Sequence, residues 1–487
     1  MSSASPSLSA SSRRVPLIAG PLAFVMLRLL APGGLDDAQA TVLGVGAWMA
    51  IWWISECLPL AVTALLPVAL FPALGATTAR EATAPFANDV VFLYLGGFLL
   101  AEALQFWRAH ERIAFGVILR VGTDSRRLVL GVMIATAFIS MWISNTATAA
   151  MMYPIALAIG ARFGESEAAR SQRVALLLGV AFSASIGGMA TLIGTPPNLI
   201  LAGAARELLG VEMGFFSFLK FGLPIALVLL PACWMLLVFV FHRERLSLGA
   251  DGVTSLRQQQ EALGKMSLGE RRVVTIFVCM ALGWFFREPK VIGGLTVFGL
   301  TGVVPGLTDA GIAIIGGISL FVVQGRAAVS QALRPLLTWK EARAIPWDVL
   351  LLFGGGLSLA AAMESSGLAT RIGEWMSGFA GLPLPLVLLG VAIVTVIVSE
   401  LASNAATASM GMPIAVALAA ALGQPPMLVM LTIGLAASVG FALPMATPPN
   451  AIVFGSGELT VRQMARAGLA LDFVAILTVV GILLVVF

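Results

Sequence analysis

The chain has 487 residues, of which 59% are hydrophobic and 11% charged, and its formal net charge is +4. A mean hydropathy of +0.97 excludes an ordinary water-soluble domain. The apolar runs are continuous and rich in Leu, Ala, Gly and Val, which excludes a β-barrel and predicts an all-α polytopic membrane protein.

In chain order, residues 1–14 begin small and polar and read as a disordered cytoplasmic tail, not a cleavable signal. Residues 15–75 form N-terminal scaffold helices, with spans near 15–31, 41–56 and 58–75. A first repeat covers 76–245, with spans near 89–107, 175–194 and 218–241, and the polar stretch 246–271 reads as a cytoplasmic linker. The second part, 272–487, holds spans near 272–286, 309–323, 347–367, 427–446 and 467–487, which brings the total to about 11 transmembrane helices. The apolar stretch 291–306 reads as an external loop.

Basic residues test the orientation, because Lys and Arg concentrate in cytoplasmic loops. With a cytoplasmic N-terminus, the inside segments carry Arg13 and Arg14, the cluster from Arg108 to Arg127, the group from Arg243 to Arg272, and Arg462 with Arg466. Outside segments carry few. The positive charge is this bias facing anionic lipid and implies no nucleic-acid partner. Cys57, Cys233 and Cys279 stand singly, and His110 and His242 sit at Arg-bearing helix ends, so no metal-ligand spacing is present.

The chain repeats itself at a shift of 259 residues. Asp89, Gly96 and Gly97 fall on Asp348, Gly355 and Gly356; Ser140, Ser144, Asn145, Thr148 and Pro154 fall on Ser399, Ser403, Asn404, Thr407 and Pro413. After a seven-residue shortening, Gly188, Thr195, Pro196, Pro197 and Asn198 meet Gly440, Thr447, Pro448, Pro449 and Asn450. Five spans separate equivalent positions, so the two repeats are predicted to be inverted, an architecture that places substrate near the bilayer midplane.

The segment 128–161 is uncharged over 34 residues and carries Ser144, Asn145 and Thr146 at its middle. Two crossings need ~40 residues, so a re-entrant helical hairpin is predicted there, with a second at 382–422, and their polar tips are expected to converge. Tandem prolines interrupt two other apolar runs, predicting broken helices at 194–198 and 446–450. Freed carbonyls and Ser or Asn oxygens suit a small hard cation, whereas helix N-termini and hydroxyls suit an anion. No Lys, Arg or His lies in either hairpin tip or broken helix, so a bound dianion needs cations beside it. Glu400 adds a negative charge near the second tip, read either as a cation-strengthening or proton-carrying group or as a hydrogen bond to the scaffold. Hydroxyls and amides without a nucleophile, base or metal cluster argue against an enzyme.

The duplicated SxxxSNT and TPPN patterns resemble the divalent-anion/sodium symporter family, carriers of dicarboxylates, citrate and sulfate, over essentially the whole chain past the tail. The resemblance implies two inverted repeats with two re-entrant hairpins, a homodimer and an elevator-type alternating-access motion in the cell inner membrane. It assigns a first sodium site to Ser140, Ser144, Asn145 and the Gly194 carbonyl, and a second to Ser399, Ala402, Ser403, Asn404 and the Ala446 carbonyl. Substrate carboxylates would meet Ser144, Asn145, Thr146, Thr195, Ser403, Asn404, Thr447 and Pro448. Ala405 stands where some members carry Thr, and Ser399 where Thr is common. The implied activity is sodium-coupled import of small divalent carboxylates, with C4-dicarboxylates such as succinate, malate and fumarate first; citrate or sulfate symport and sodium-independent dicarboxylate exchange are the alternatives.

Overall fold

The computed structural model describes residues 10–122, 124–247, 250–292, 295–326, 332–376 and 381–487. In chain order its helices are α1 (Ala10–Leu30), α2 (Asp37–Ser55), α3 (Leu60–Thr63), α4 (Leu66–Ala73), α5 (Ala79–Thr83), α6 (Asp89–Phe106), α7 (Ala109–Val121) and α8 (Ser125–Ser140). There follow α9 (Asn145–Ala161), α10 (Glu167–Met189), α11 (Pro196–Leu209), α12 (Phe215–Met235, extended by a π-helical turn Leu236–Phe241), α13 (Ala250–Ala262), α14 (Leu268–Phe285) and α15 (Asp309–Val322). The remainder are α16 (Trp339–Ala342), α17 (Trp347–Ser365), α18 (Leu368–Met376), α19 (Leu384–Leu401), α20 (Asn404–Leu422), α21 (Pro426–Ala436), α22 (Pro448–Phe454) and α23 (Val461–Val486). Two short antiparallel hairpins are the only strands among the described residues.

The all-α polytopic expectation holds: eight helical segments among the described residues are long and apolar enough to cross a membrane, with α1 and shorter apolar helices beside them. Several boundaries differ from the sequence reading. Residues 10–14 of the expected tail are the first turns of α1, whereas residues 1–9 lie outside the described residues. The span expected at 58–75 is split into α3 and α4, because Pro59 opens the first piece and Pro67 the second. The linker 246–271 contains the polar helix α13. The stretch 291–306 holds a β-hairpin and a 3-10 turn, and no spanning helix is formed by its described residues. Both apolar regions set apart in the sequence are helix–break–helix, α8–α9 and α19–α20. At 1.5 Å per residue the arms of the first are about 24 and 26 Å long, short of a ~30 Å hydrocarbon core. Those of the second, at 18 and 19 residues, count among the eight.

The chain forms two compact units that interleave along the sequence. The first comprises the described residues up to Asn88, Ile200–Glu212 and Trp347–Ala437. Its centre is α17, whose Gly355 lies so close to α3 that an added Cβ would stand 2.2 Å from the Ala64 carbonyl oxygen. The second comprises Asp89–Leu199, Met213–Pro346 and Ser438–Phe487. There the matched Gly96 of α6 meets the α15 backbone, with the Ala313 carbonyl oxygen 2.4 Å from a would-be Cβ. Every residue in the apolar window of α10 is buried, which makes that helix the core of its unit. The duplicated glycines are thus close-approach contacts, one in each unit, without which the paired helices would be forced apart.

Candidate functional site

Within the second unit, Ser140 is the last residue of α8, Ser144 precedes α9, and Asn145 and Thr146 form the first turn of α9. Ser144 Oγ caps that helix by accepting from the Ala147 amide at 3.3 Å. Ser140 Oγ lies 2.8 Å from Asn145 Oδ1 and 2.7 Å from the Ala184 carbonyl oxygen of α10. A hydroxyl has one proton, so it can donate to only one of these two acceptors. Two acceptors therefore face one hydroxyl proton, and oxygens gathered in this way suit a small hard cation.

The same triad exists in the first unit. Ser399 Oγ stands 2.9 Å from Asn404 Oδ1 and 2.6 Å from the Ala437 carbonyl oxygen. Ala402 and Ser403 form the break between α19 and α20, and Asn404 opens α20. Ser399 is fully buried, while Ser403 and Asn404, like Ser144, Asn145 and Thr146, are half-buried, so each tip keeps an open side. Glu400 is buried beside Ser399, and Ala405 is buried without a hydroxyl to offer.

The proline pairs act differently from the sequence expectation. In both copies the prolines begin the downstream helix: α11 starts at Pro196 and α22 at Pro448, so Pro196, Pro197, Asn198, Pro448, Pro449 and Asn450 are helical. A proline in a first turn forfeits no helical hydrogen bond and has its φ already set, so it ends the unwound stretch instead of forming it. The breaks lie upstream, over 190–195 and 437–447, and the spans expected at 175–194 and 427–446 end early, at Met189 and Ala436. Gly194 and Thr195 close the first break, and Ala446 and Thr447 the second. Thr195 and Thr447 are buried, and Thr447 Oγ1 accepts from the Asn450 amide at 3.3 Å. Pro448 is exposed.

Residues outside the expected set hold these breaks. Asn198 Nδ2 donates to the Gly188 carbonyl at 3.0 Å and to the Thr191 carbonyl at 2.8 Å. Asn450 Nδ2 donates to Gly440 at 3.1 Å and Leu443 at 3.0 Å, residue for residue the same clamp. Both asparagines are fully buried, and each spends both amide protons on carbonyls at or beyond the end of the upstream helix. Thr191 Oγ1 donates to the Met141 carbonyl and ties the first break to its neighbouring hairpin tip. Gly188 makes room for Asn145: a Cβ there would stand 2.2 Å from Asn145 Oδ1. The repeat alignment contained the signal for the clamps, since Asn198 falls on Asn450 and Gly188 on Gly440, yet it offered no geometry to separate ligands from the residues that hold them. Asp472, buried in α23, was legible as the lone carboxylate of an otherwise uncharged span.

No group of three or more His, Cys, Asp or Glu suited to a metal occurs among the described residues. The oxygens brought together at the breaks belong to carbonyls, hydroxyls and side-chain amides, donors of the kind that suit a small hard cation.

A family model described as the sodium:sulfate symporter transmembrane region matches residues 12–486. Two sodium-dependent dicarboxylate transporters, SdcS from different strains of Staphylococcus aureus, are 36% and 37% identical over 474 residues, covering 96% of this chain and 89% of each relative. In fold, the chain is similar to the crystal structure of the Alcanivorax borkumensis YdaH transporter, with a TM-score of 0.55 at 15% identity, over 90% of this chain and 97% of that one. It is also similar to Neisseria gonorrhoeae MtrF, described as illuminating a class of antimetabolite efflux pumps, with a TM-score of 0.58 at 13% identity over 85% and 83% of the two chains. A match from residue 12 to 486, on a chain whose repeated breaks are lined with sodium-type oxygen donors, makes this multi-pass membrane protein a member of the sodium:sulfate symporter family, transporters that use sodium as the coupling ion and not enzymes.

Proposed function

We propose that the chain imports C4-dicarboxylates such as succinate, malate and fumarate together with sodium. The observation that carries this reading is the duplicated oxygen triad, Ser140 with Asn145 and Ala184, and Ser399 with Asn404 and Ala437. Each gathers a hydroxyl, a side-chain amide oxygen and a backbone carbonyl around one hydroxyl proton, a cluster of oxygen donors that suits a small bound cation. The first sodium site is assigned to Ser140, Ser144, Asn145 and the Gly194 carbonyl. Ser399, Ala402, Ser403, Asn404 and the Ala446 carbonyl are assigned to sodium on the same chemistry.

Substrate carboxylates are assigned to Ser144, Asn145, Thr146 and Thr195, which stand at the N-terminal ends of α9 and α11, where amides and helix dipoles favour anions. Ser403 and Asn404 at the start of α20, with Thr447 and Pro448, complete the assignment from the family resemblance. The dicarboxylate preference is supported by the SdcS relatives, which are sodium-dependent dicarboxylate transporters. The homodimer, the elevator-type motion, the re-entrant placement of the hairpins and an inner-membrane location with a cytoplasmic N-terminus rest on the resemblance and on the distribution of Arg and Lys.

The test is uptake of radiolabelled succinate into proteoliposomes under an inward sodium gradient, with potassium as control. Uptake is expected to require sodium and to fall to background in Asn145→Ala and Asn404→Ala. Sodium-independent uptake seen only with internal succinate would overturn symport in favour of exchange. Sodium-driven uptake of citrate or sulfate without succinate would overturn the substrate.

A further inference from the structure

The two broken helices share their motifs and differ in how far they are unwound. In the first copy α10 continues to Met189, and the next amide, Ala190, still finds the Gly187 carbonyl at 3.0 Å. In the second copy α21 stops at Ala436, and no regular helix forms before α22 begins at Pro448. Ala446 finds the Leu443 carbonyl at 3.2 Å in a turn, while the buried amides of this longer stretch need acceptors other than helical carbonyls.

One replacement comes from α23. The Phe441 amide donates to Asp472 Oδ1 at 3.2 Å in a buried contact, and Asp472 itself is 5% exposed. The strand can approach α23 because of Gly468, where a Cβ would stand 2.2 Å from the Phe441 carbonyl oxygen. The first copy has the matching seat: Gly222 of α12 faces the Met189 carbonyl, 2.5 Å from a would-be Cβ. Four residues beyond Gly222 stands Ala226; four beyond Gly468 stands Asp472. The carboxylate is therefore present in the copy whose helix ends early and absent from the copy whose helix continues. Charged groups within a span are costly enough that one kept there calls for a role.

Asp472 and Asn450 grip the same strand through opposite chemistry. Asn450 donates to the Gly440 and Leu443 carbonyls, and Asp472 accepts from the Phe441 amide between them. We propose that Asp472 is a positioning residue that keeps the strand 438–447 unwound and thereby presents the Ala446 carbonyl to a sodium ion. The sodium part of this inference rests on the proposed function; the positioning part does not.

Two readouts separate them. In lipid nanodiscs, Asp472→Ala is expected to speed amide deuterium exchange across 438–447 by about tenfold or more, with exchange across 189–195 unchanged. Asp472→Asn keeps an acceptor oxygen and is expected to restore protection, which also guards against a variant that fails to fold. In proteoliposomes, Asp472→Ala should raise the half-saturating sodium concentration by about fivefold or more while the succinate KM at saturating sodium changes less than about twofold, and Asp472→Asn should return both to near wild type. Unchanged exchange in Asp472→Ala, or an Asn variant as impaired as the Ala one, would overturn the positioning role. Altered exchange with unaltered sodium dependence would overturn the link to the cation. Wild-type protein without sodium-driven uptake would sink the proposed function and the cation link, while the exchange data still decide the positioning role.

Discussion

At the scale of single residues, the proposed sites are made of side chains that carry no formal charge, so their geometry matters more than their titration. Gly188 illustrates this, because the space its missing Cβ leaves is occupied by Asn145 Oδ1. Gly188→Ala should push the amide off Ser140 and cut sodium-driven uptake by about tenfold or more while leaving the protein folded; uptake and thermal unfolding measured in parallel would check this. The asparagine clamps make a different prediction. Asn198→Ala or Asn450→Ala removes two hydrogen bonds made by a fully buried amide, although the Thr191 and Leu443 carbonyls keep the Gly194 and Ala446 amides, and each should cost about 1–3 kcal/mol of stability by thermal unfolding in detergent. A motif letter cannot distinguish these roles. Asn145 and Asn198 look alike in sequence, and only the structure shows that one turns its oxygen to a hydroxyl and the other turns its nitrogen to the backbone.

At the scale of elements, the duplicated glycines Gly96 and Gly355 set the separation of α6 from α15 and of α17 from α3. An alanine at either position must displace a backbone carbonyl, and each substitution should destabilise its own unit by about 1–3 kcal/mol. The π-helical turn that ends α12 leads to His242, whose Nδ1 lies 3.0 Å from Ser171 Oγ, while that hydroxyl donates to Glu244 at 2.8 Å. Burial pushes the His242 pKa down to about 4, against the opposing attraction of Glu244. Between its ordinary value near 6.5 and that lower one the unfolded chain binds the proton and the folded chain does not, so stability falls as pH drops through this window. The loss is on the order of 3 kcal/mol at most. The unfolding midpoint should decline over this range, and His242→Gln should flatten the decline. Helix existence was legible in hydropathy, and the break between two helices in each long apolar region in the polar residues at its middle. Helix ends were not: a proline pair reads as a break, yet Pro196 and Pro448 are starts, because the unwinding is decided upstream by glycine packing and by side chains brought in from distant helices.

At the scale of the whole molecule, the repeat was readable because two copies constrain each other, and the family followed from it. The division into two interleaved units was not, since Ile200–Glu212 belongs with Trp347–Ala437, far along the chain. Orientation has a direct check. Arg257 is exposed on the polar helix α13, between spans expected to open to the cytoplasm. In a cysteine-free background, Arg257→Cys should react with a membrane-impermeant thiol reagent in inside-out vesicles and stay protected in right-side-out ones; the reverse pattern would invert the topology.

The clamps at Asn198 and Asn450 also bear on how such a chain can change over generations. Each holds two carbonyls with the two protons of one nitrogen. Aspartate has the same outline with oxygen in place of that nitrogen, and it would turn two attractions into two repulsions without altering shape. Glutamine keeps the chemistry but adds a methylene in a fully buried place. Drift at these positions is closed off on both sides, by chemistry for one neighbour and by volume for the other, so a single nitrogen atom in each copy is what descent has to preserve.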